Sequence, residues 1–135
     1  MRWKDIICEE QDFLPNPFPG SKVKDVLYHG SNTAGIKEFR IPSEGLWFSD
    51  LPTWGARVYG SGLAETYACY VDIKAIYHPT EDELDEYYGA MDIIGPFFSK
   101  LASQGYDAYF QGGESGAIAV FPGTRIVNAR TGDPM

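Results

Sequence analysis

The segment Val26–Ser31 carries the clearest chemical signal in this sequence, because an apolar run ends there in a histidine, a glycine and a hydroxyl. An imidazole can exchange a proton near neutral pH or hydrogen-bond a ligand hydroxyl. A glycine has no side chain and lets a flat ligand approach the backbone. His29 followed directly by Gly30 therefore indicates a ligand site, while a packed structural histidine is the alternative explanation.

Two other motifs resemble known functional patterns only weakly, and a metal-binding pattern is absent from the sequence. The run Gly60–Glu65 lacks the third glycine of a dinucleotide fingerprint and precedes a strand instead of following one. The run Gly113–Ala117 is similar to a nucleophile elbow, but that motif needs a helix after its turn. This sequence predicts a strand there. No metal-ligand spacing relates the histidines and cysteines, and we therefore predict no metal site at His29, His78, Cys8 and Cys69.

The elements that must position these residues follow from hydrophobic periodicity and capping. Residues 66–75 alternate in polarity, which is typical of a strand. Thr80 with Glu83 three residues later is typical of a capping box and predicts a helix over 81–89. Weaker patterns predict strands over 26–29, 46–49, 107–111, 117–121 and 125–127, a helical turn ending near Phe39, and helices over 50–59 (capped by Asp50) and from Pro96 to Gly105.

The chain divides into an N-terminal arm, residues 1–22, and a body, residues 23–135. The arm begins with a predicted short helix over 3–9. Three prolines between residues 15 and 19 then rule out regular structure. We expect the aromatic residues of this arm to pack on the body, with binding of a partner as the alternative.

Composition limits the possible partners. The 135 residues suit one domain, and 11 basic against 19 acidic residues give a net charge of -8. Such a chain has no general attraction to nucleic acid or anionic lipid. The sequence shows no secretory leader and no apolar run of the ~20 residues that a membrane span needs. We therefore expect a cytoplasmic protein with buried thiols and without nucleic-acid or membrane partners.

Several motifs, taken in order, resemble the ADP-ribosyltransferases. Tyr28-His29-Gly30-Ser31 is similar to the first motif of that family, and Gly45–Ser49 to the second. Ala56 and Tyr59 resemble the alanine and tyrosine of the helix that follows. With a similar closing segment, the resemblance covers residues 23–128 and includes diphtheria-type toxins, poly-ADP-ribose polymerases and small phage transferases. It implies an α+β fold in which two small antiparallel sheets and short helices surround an NAD cleft.

The same resemblance implies roles for individual residues. His29 would hydrogen-bond a ribose hydroxyl of NAD, and the Gly30 backbone would clamp the nicotinamide carboxamide, with Ser31 assisting. Trp47, where the family usually has tyrosine, and Tyr59 would form the two walls of the nicotinamide slot. The remaining predicted NAD-binding residues are Phe48, Ser49 and Arg57, the last as a candidate for the pyrophosphate.

The catalytic acid is where this chain departs from the family pattern. Many members carry a glutamate at the start of the strand predicted over 117–121, where this chain has Ala117 or Gly116. Glu114, in the loop just before it, is the predicted acid, with Asp107 as second choice. Breaking the nicotinamide–ribose bond develops an oxocarbenium-like cation, which a carboxylate near the 2′-hydroxyl would stabilise.

The resemblance implies a mono-ADP-ribosyltransferase that uses NAD as its substrate. Such an enzyme would cleave the nicotinamide–ribose bond and transfer ADP-ribose to a protein acceptor. A phage or toxin-like effector, acting in the cytoplasm of the producing or host cell, is the implied setting. Two alternatives stay open: a catalytically silent relative that binds NAD or a protein, and an NAD glycohydrolase.

Overall fold

The structure of the protein is a computed structural model that describes residues 13–113 and 116–135. Its elements in chain order are β1 Leu27–Ser31, β2 Leu46–Phe48, α1 Trp54–Tyr59, a 3-10 turn Gly60–Gly62, β3 Glu65–Val71, β4 Ile76–Tyr77, α2 Glu81–Tyr87, α3 Met91–Ser103, β5 Ala108–Gly112, β6 Ala117–Val120 and β7 Ile126–Asn128. In the described ranges each helix is too short to cross a membrane.

The strands form two sheets, which confirms the predicted α+β class. One sheet has three strands in the order β1-β3-β7, and the other has four in the order β2-β6-β5-β4. The prediction that both sheets are antiparallel is wrong for one pair, since β4 and β5 run parallel. The physical reason is the connection: α2 and α3 lie between these two strands and return the chain to the end from which β4 began.

Among the described residues, one backbone bridge links the two sheets. The Tyr28 N–H donates to the Ser49 carbonyl at 2.8 Å, and the Ser49 N–H donates to the Tyr28 carbonyl at 2.9 Å. This bridge is antiparallel and lies where β1 begins and β2 ends. Past it, the described residues of β1 and β2 form no further backbone hydrogen bonds with each other. The sheets are therefore split along the line between β1 and β2.

Strand β3 is buried on both faces over most of its length. Tyr67, Cys69 and Val71 belong to a central cluster that also takes residues from the four-stranded sheet. Ala68 and Tyr70, on the other face, belong to a cluster beneath the arm. The strand ends at Val71, earlier than predicted. Burial raises the pKa of the Cys69 thiol to about 12, so this free cysteine stays protonated.

The described part of the arm packs on the three-stranded sheet. Phe18 is buried in the cluster that contains Tyr70. The Tyr70 hydroxyl donates to the Leu14 carbonyl at 2.7 Å, and the Leu14 N–H donates to the Ala129 carbonyl at 2.8 Å. The irregular, proline-rich arm is therefore attached to the sheet by a buried aromatic ring and by two hydrogen bonds to backbone carbonyls. The helix predicted over 3–9 lies outside the described residues.

Three boundary predictions are corrected, and one is confirmed. The capping box of Thr80 and Glu83 is present, and α2 begins at Glu81. Asp50 does not cap α1, which begins at Trp54 after Thr53. The helical turn predicted to end near Phe39 is absent, because the described residues 32–40 form no helix. Helix α3 begins at Met91 and not at Pro96, which lies inside the helix.

Candidate functional site at the split between the sheets

His29 lies on β1 at the split, with its ring in a fixed orientation. Its Nδ1 atom is 2.7 Å from the main-chain oxygen of Trp47. A carbonyl oxygen only accepts hydrogen bonds, so Nδ1 carries the hydrogen and donates it. The ring also packs against Phe39 and Phe48, with centroid separations of 5.3 and 5.6 Å. The neutral imidazole is therefore held as one tautomer, in which Nε2 is an acceptor.

The Nε2 atom of His29 is available to a ligand. The one hydrogen bond that His29 forms with described residues uses Nδ1. Among those residues, no buried side-chain nitrogen or oxygen is left without a partner. Because Nε2 has no partner of this kind, the atom keeps some exposed surface, although the ring as a whole is partly buried. It is thus placed to accept a hydrogen bond from a ligand hydroxyl.

The protonation of His29 leads to a prediction about stability. Burial lowers the pKa of His29 below its usual 6.5, although the bond to Trp47 acts in the opposite direction. As the pH falls, the unfolded chain therefore takes up the proton before the folded one. The stabilisation is fully present above pH 6.5 and is lost as the pH falls from there through the native pKa. We expect His29→Gln to reduce this loss, measured by urea unfolding at pH values between about 8 and 5.

The matched control is His78→Gln, because His78 is exposed. This variant should keep the wild-type pH dependence in the same window. Glu83 does not interfere, since its hydrogen bonds lower its pKa below 4.5 and place its titration at more acidic pH. An unchanged slope in His29→Gln would contradict the assignment of a neutral, buried imidazole.

Gly30 is buried beneath α1, and its backbone edge points toward the split. Hydrogen-bonding directions alternate along a strand, and Tyr28 uses its N–H and carbonyl toward β2. The N–H and carbonyl of Gly30 therefore point to the same edge, beyond the last bond between the strands. A donor and an acceptor side by side match a primary carboxamide, which offers an acceptor and a donor of its own.

Helix α1 lies directly on Gly30. A Cβ atom at Gly30 would be 2.5 Å from the Gly55 Cα, and one at Gly55 would be 2.9 Å from the Gly30 Cα. Both residues must be glycine for the helix to approach the strand this closely. The pair fixes the position of α1, which carries Arg57 and Tyr59, relative to β1. The sequence reading missed Gly55, whose signal is a poor helix former inside a predicted helix.

The residues of β1 and β2 point to two different faces. Leu27 and Phe48 belong to the central cluster, and His29 packs on Phe48 on that face. By alternation, Gly30 and Trp47 lie on the opposite face. The Trp47 ring is half-buried there, 6.2 Å from the Phe98 ring. The structure thus brings Gly30, Trp47 and α1 to one face, while the imidazole leaves the strand on the other.

Three predicted NAD-binding side chains are buried. Phe48 and Ser49 have no exposed surface, and Ser31 is 8% exposed. The Ser31 hydroxyl accepts the Thr33 N–H at 3.0 Å, and the Ser49 hydroxyl accepts the Leu51 N–H at 3.0 Å. The side chains are therefore not exposed to a ligand in this structure, and their contact with NAD stays a prediction. Phe48 supports the His29 ring, and the two hydroxyls hold the turns that follow the strands.

The other two predicted residues lie on α1. Tyr59 is 39% exposed at the end of the helix and forms no ring contact with another described aromatic residue. Arg57 lines a groove of 450 Å³ between α1 and α2, together with Trp54 and Tyr88. This groove continues to Gly113, at the end of β5. Its lining combines aromatic rings, which suit a planar ligand, with the guanidinium of Arg57 and the carboxylate of Asp85.

Of the two predicted catalytic acids, Glu114 and Asp107, the structure describes Asp107. Glu114 lies outside the described residues, between Gly113 and Gly116. A Cβ at Gly116 would be 2.7 Å from the Asp50 carboxylate, so the C-terminal side of this loop lies against the residue that follows β2 and its bridge. Ala117, where the family has glutamate, is buried.

Asp107 lies at the other end of β6 and has a structural role. Its Oδ2 accepts the N–H groups of Lys74 at 2.6 Å and Ala75 at 3.2 Å. Its carbonyl accepts the Phe121 N–H, just after β6, while the Glu114 loop precedes β6. This placement argues against Asp107 as the acid. Within the described ranges, no group of three or more histidine, cysteine or acidic residues is arranged to hold a metal ion.

Comparison with known proteins identifies no relative: no protein-family model, no curated protein and no solved structure matches this chain.

Proposed function

We propose that this protein is a mono-ADP-ribosyltransferase that cleaves NAD at the nicotinamide–ribose bond and transfers ADP-ribose to a protein acceptor. The observation that carries the proposal is the pairing of His29 and Gly30 at the split. One residue offers an accepting Nε2 and the next offers an unpaired amide edge. A ligand with a hydroxyl and a carboxamide at a fixed separation, as nicotinamide riboside has, satisfies both.

The nicotinamide ring has a surface to rest on next to that edge. Trp47 lies on the same face of the split sheets as Gly30, and its ring is partly exposed. Its indole N–H donates to the Glu44 carbonyl at 3.1 Å, which fixes the ring together with Phe98. A fixed aromatic plane favours offset stacking of a second ring. Trp47 is therefore proposed as one wall, and Tyr59 remains the proposed second wall.

The proposed reaction moves electrons in a simple way. The C1′–N bond breaks, and its electron pair passes to the nicotinamide nitrogen, whose positive charge it neutralises. A nucleophile of the acceptor protein then bonds to C1′ and loses its proton. The cationic sugar needs a nearby carboxylate, for which Glu114 is proposed. Arg57, on α1, is proposed to pair with the pyrophosphate.

A catalytically silent NAD-binding protein is the second candidate function. The observation that favours it is Ala117, whose buried methyl group occupies the strand position where many transferases carry the acid. In that case the His29–Gly30 edge would bind NAD without cleaving it. An NAD glycohydrolase is the third candidate and differs from a transferase only in using water as the acceptor.

One experiment separates these functions. Purified protein is incubated with NAD labelled in its adenylate phosphate, with and without cell lysate, while nicotinamide release is measured. Release together with a labelled protein band is the expected result. Release without a labelled band indicates the glycohydrolase, and binding without release indicates the silent protein. Absence of both binding and release would overturn the proposal.

The proposed site also predicts how NAD affinity changes in variants of His29 and Trp47. His29→Ala should weaken NAD binding by about tenfold, because one hydrogen bond to a ribose hydroxyl is lost. Trp47→Ala should weaken it too, through loss of the proposed wall. His78→Ala is the control and should bind as the wild type does. Calorimetry that finds NAD affinity unchanged in both His29→Ala and Trp47→Ala would contradict the placement of NAD at the split.

A further inference from the structure

A second pocket opens between the two sheets, on the face opposite to Gly30 and Trp47. Its volume is 290 Å³, and its apolar walls come from four strands and are formed by Leu27, Ile76, Phe110 and Ile118. Phe110 is 38% exposed, and the His78 ring meets it edge-on at 5.7 Å between centroids. Such a pocket is wide enough for the stem of one long side chain.

Two carboxylates, Asp25 and Asp50, line this pocket, which we call the Asp25–Asp50 pocket. Both residues are exposed, and neither carboxylate forms an ion pair or hydrogen bond with a described residue. The ammonium of the nearby Lys24 donates to the Pro19 carbonyl at 2.5 Å, and among the described residues it forms no ion pair with either carboxylate. Gly116 fixes the site, since any side chain there would displace the Asp50 carboxylate.

We propose that the Asp25–Asp50 pocket binds an arginine side chain from a basic segment of a partner protein. The apolar walls would contact its methylene stem, as long cationic side chains commonly bury theirs. The guanidinium would pair with the two carboxylates and stack against Phe110. A purely apolar occupant would cover two unpaired charges, which is costly.

The charge of the whole chain favours the same partner. A net charge of -8 attracts a basic segment and raises its rate of association. A second copy of this chain, equally acidic, would be repelled. The inference goes beyond the proposed function, because binding of a basic segment requires neither NAD nor catalysis. If both hold, the partner is bound beside the loop that carries Glu114.

The test uses a capped five-residue peptide with one arginine between two leucines, and the same peptide with neutral citrulline in its place. Binding is followed in the absence of NAD through the methyl NMR signals of Ile76 and Ile118. We expect saturable shifts with the arginine peptide and at least ~tenfold weaker binding of the citrulline peptide. This comparison uses the wild-type chain and does not depend on any variant folding.

Variants then locate the site. The double variant Asp25→Asn/Asp50→Asn should bind the arginine peptide at least ~tenfold more weakly. Asp92→Asn removes one exposed charge from α3 and should bind like the wild type. Equal binding of both peptides, equal loss in Asp92→Asn, or no shift at either isoleucine would overturn the proposal. Sedimentation that shows a dimer covering this pocket would overturn it as well.

Discussion

Gly30→Ala is expected to destabilise the protein by about 3 kcal/mol and to lower its melting temperature by roughly 10 °C. The added methyl group would lie 2.5 Å from the Gly55 Cα and 3.3 Å from a Leu63 methyl group. Backbone atoms cannot rotate away, so α1 must move off β1. Thermal unfolding followed by circular dichroism measures the effect.

The control for this prediction is Gly20→Ala. No atom lies within 4 Å of a Cβ at Gly20, and its backbone does not need the left-handed region. That variant should stay within about 0.5 kcal/mol of the wild type or be slightly more stable. Equal stability of Gly30→Ala and Gly20→Ala would show that α1 does not press on β1 as described.

The variant Gly55→Ala tests the same contact from the helix. Its Cβ would be 2.9 Å from the Gly30 Cα, but alanine also favours a helix interior by about 1 kcal/mol over glycine. We expect a smaller loss than in Gly30→Ala. The two losses should not add in the double variant, because both substitutions separate the same two elements.

Local interactions explain which elements could be predicted from the sequence. The start of α2 depends on two side chains three residues apart, Thr80 and Glu83, which are visible without any tertiary contact. The start of α3 has no such signal, since Ala90 precedes it without a capping side chain. Burial of Ile94 and Phe98 in a cluster below the four-stranded sheet determines that helix. Pro96 gave a false start because proline is common at the first helical position, whereas here it lies inside α3, past the first turn.

The same distinction applies to the candidate site. The sequence motifs predicted that His29, Gly30 and Trp47 lie near each other. In the structure, His29 Nδ1 donates a hydrogen bond to the Trp47 carbonyl. The motifs could not show which side chains reach the ligand. Trp47 and Phe48 are neighbours on one strand and therefore face opposite ways. Only the packing of the two sheets shows that Phe48 is the buried one.

Long-range contacts were beyond the sequence reading. The contact of Gly55 with Gly30 joins residues separated by 25 positions, and the clamp of Asp107 on Lys74 joins residues separated by 33. Neither leaves a periodic pattern. Asp50 is a related case. Aspartate often caps a helix, yet the Asp50 carboxylate lies against Gly116, just before β6. Polar residues in turns have several possible partners, and tertiary structure selects among them.

Glu114→Gln is expected to reduce the rate of nicotinamide release by about 100-fold to 1000-fold while leaving NAD affinity unchanged. This prediction rests on the proposed function and on the chemistry of the bond that breaks. A carboxylate stabilises the cationic sugar, and the neutral amide of glutamine does not. The ground state of NAD carries no such charge on its ribose, so binding should change little. Single-turnover release and calorimetry measure the two quantities separately.

Asp107→Asn provides the control that makes the assignment of Glu114 specific. Asparagine keeps an oxygen that can accept the N–H groups of Lys74 and Ala75, so the clamp weakens without being lost. We expect a loss of about 1 kcal/mol in stability and full nicotinamide release. The reverse result, an active Glu114→Gln and an inactive Asp107→Asn with intact folding, would show that the acid is Asp107. Glu114 precedes β6, whereas Asp107 lies beside Phe121 at the opposite end of that strand. That result would therefore also move the reacting sugar away from the split, where His29 and Gly30 would no longer reach it.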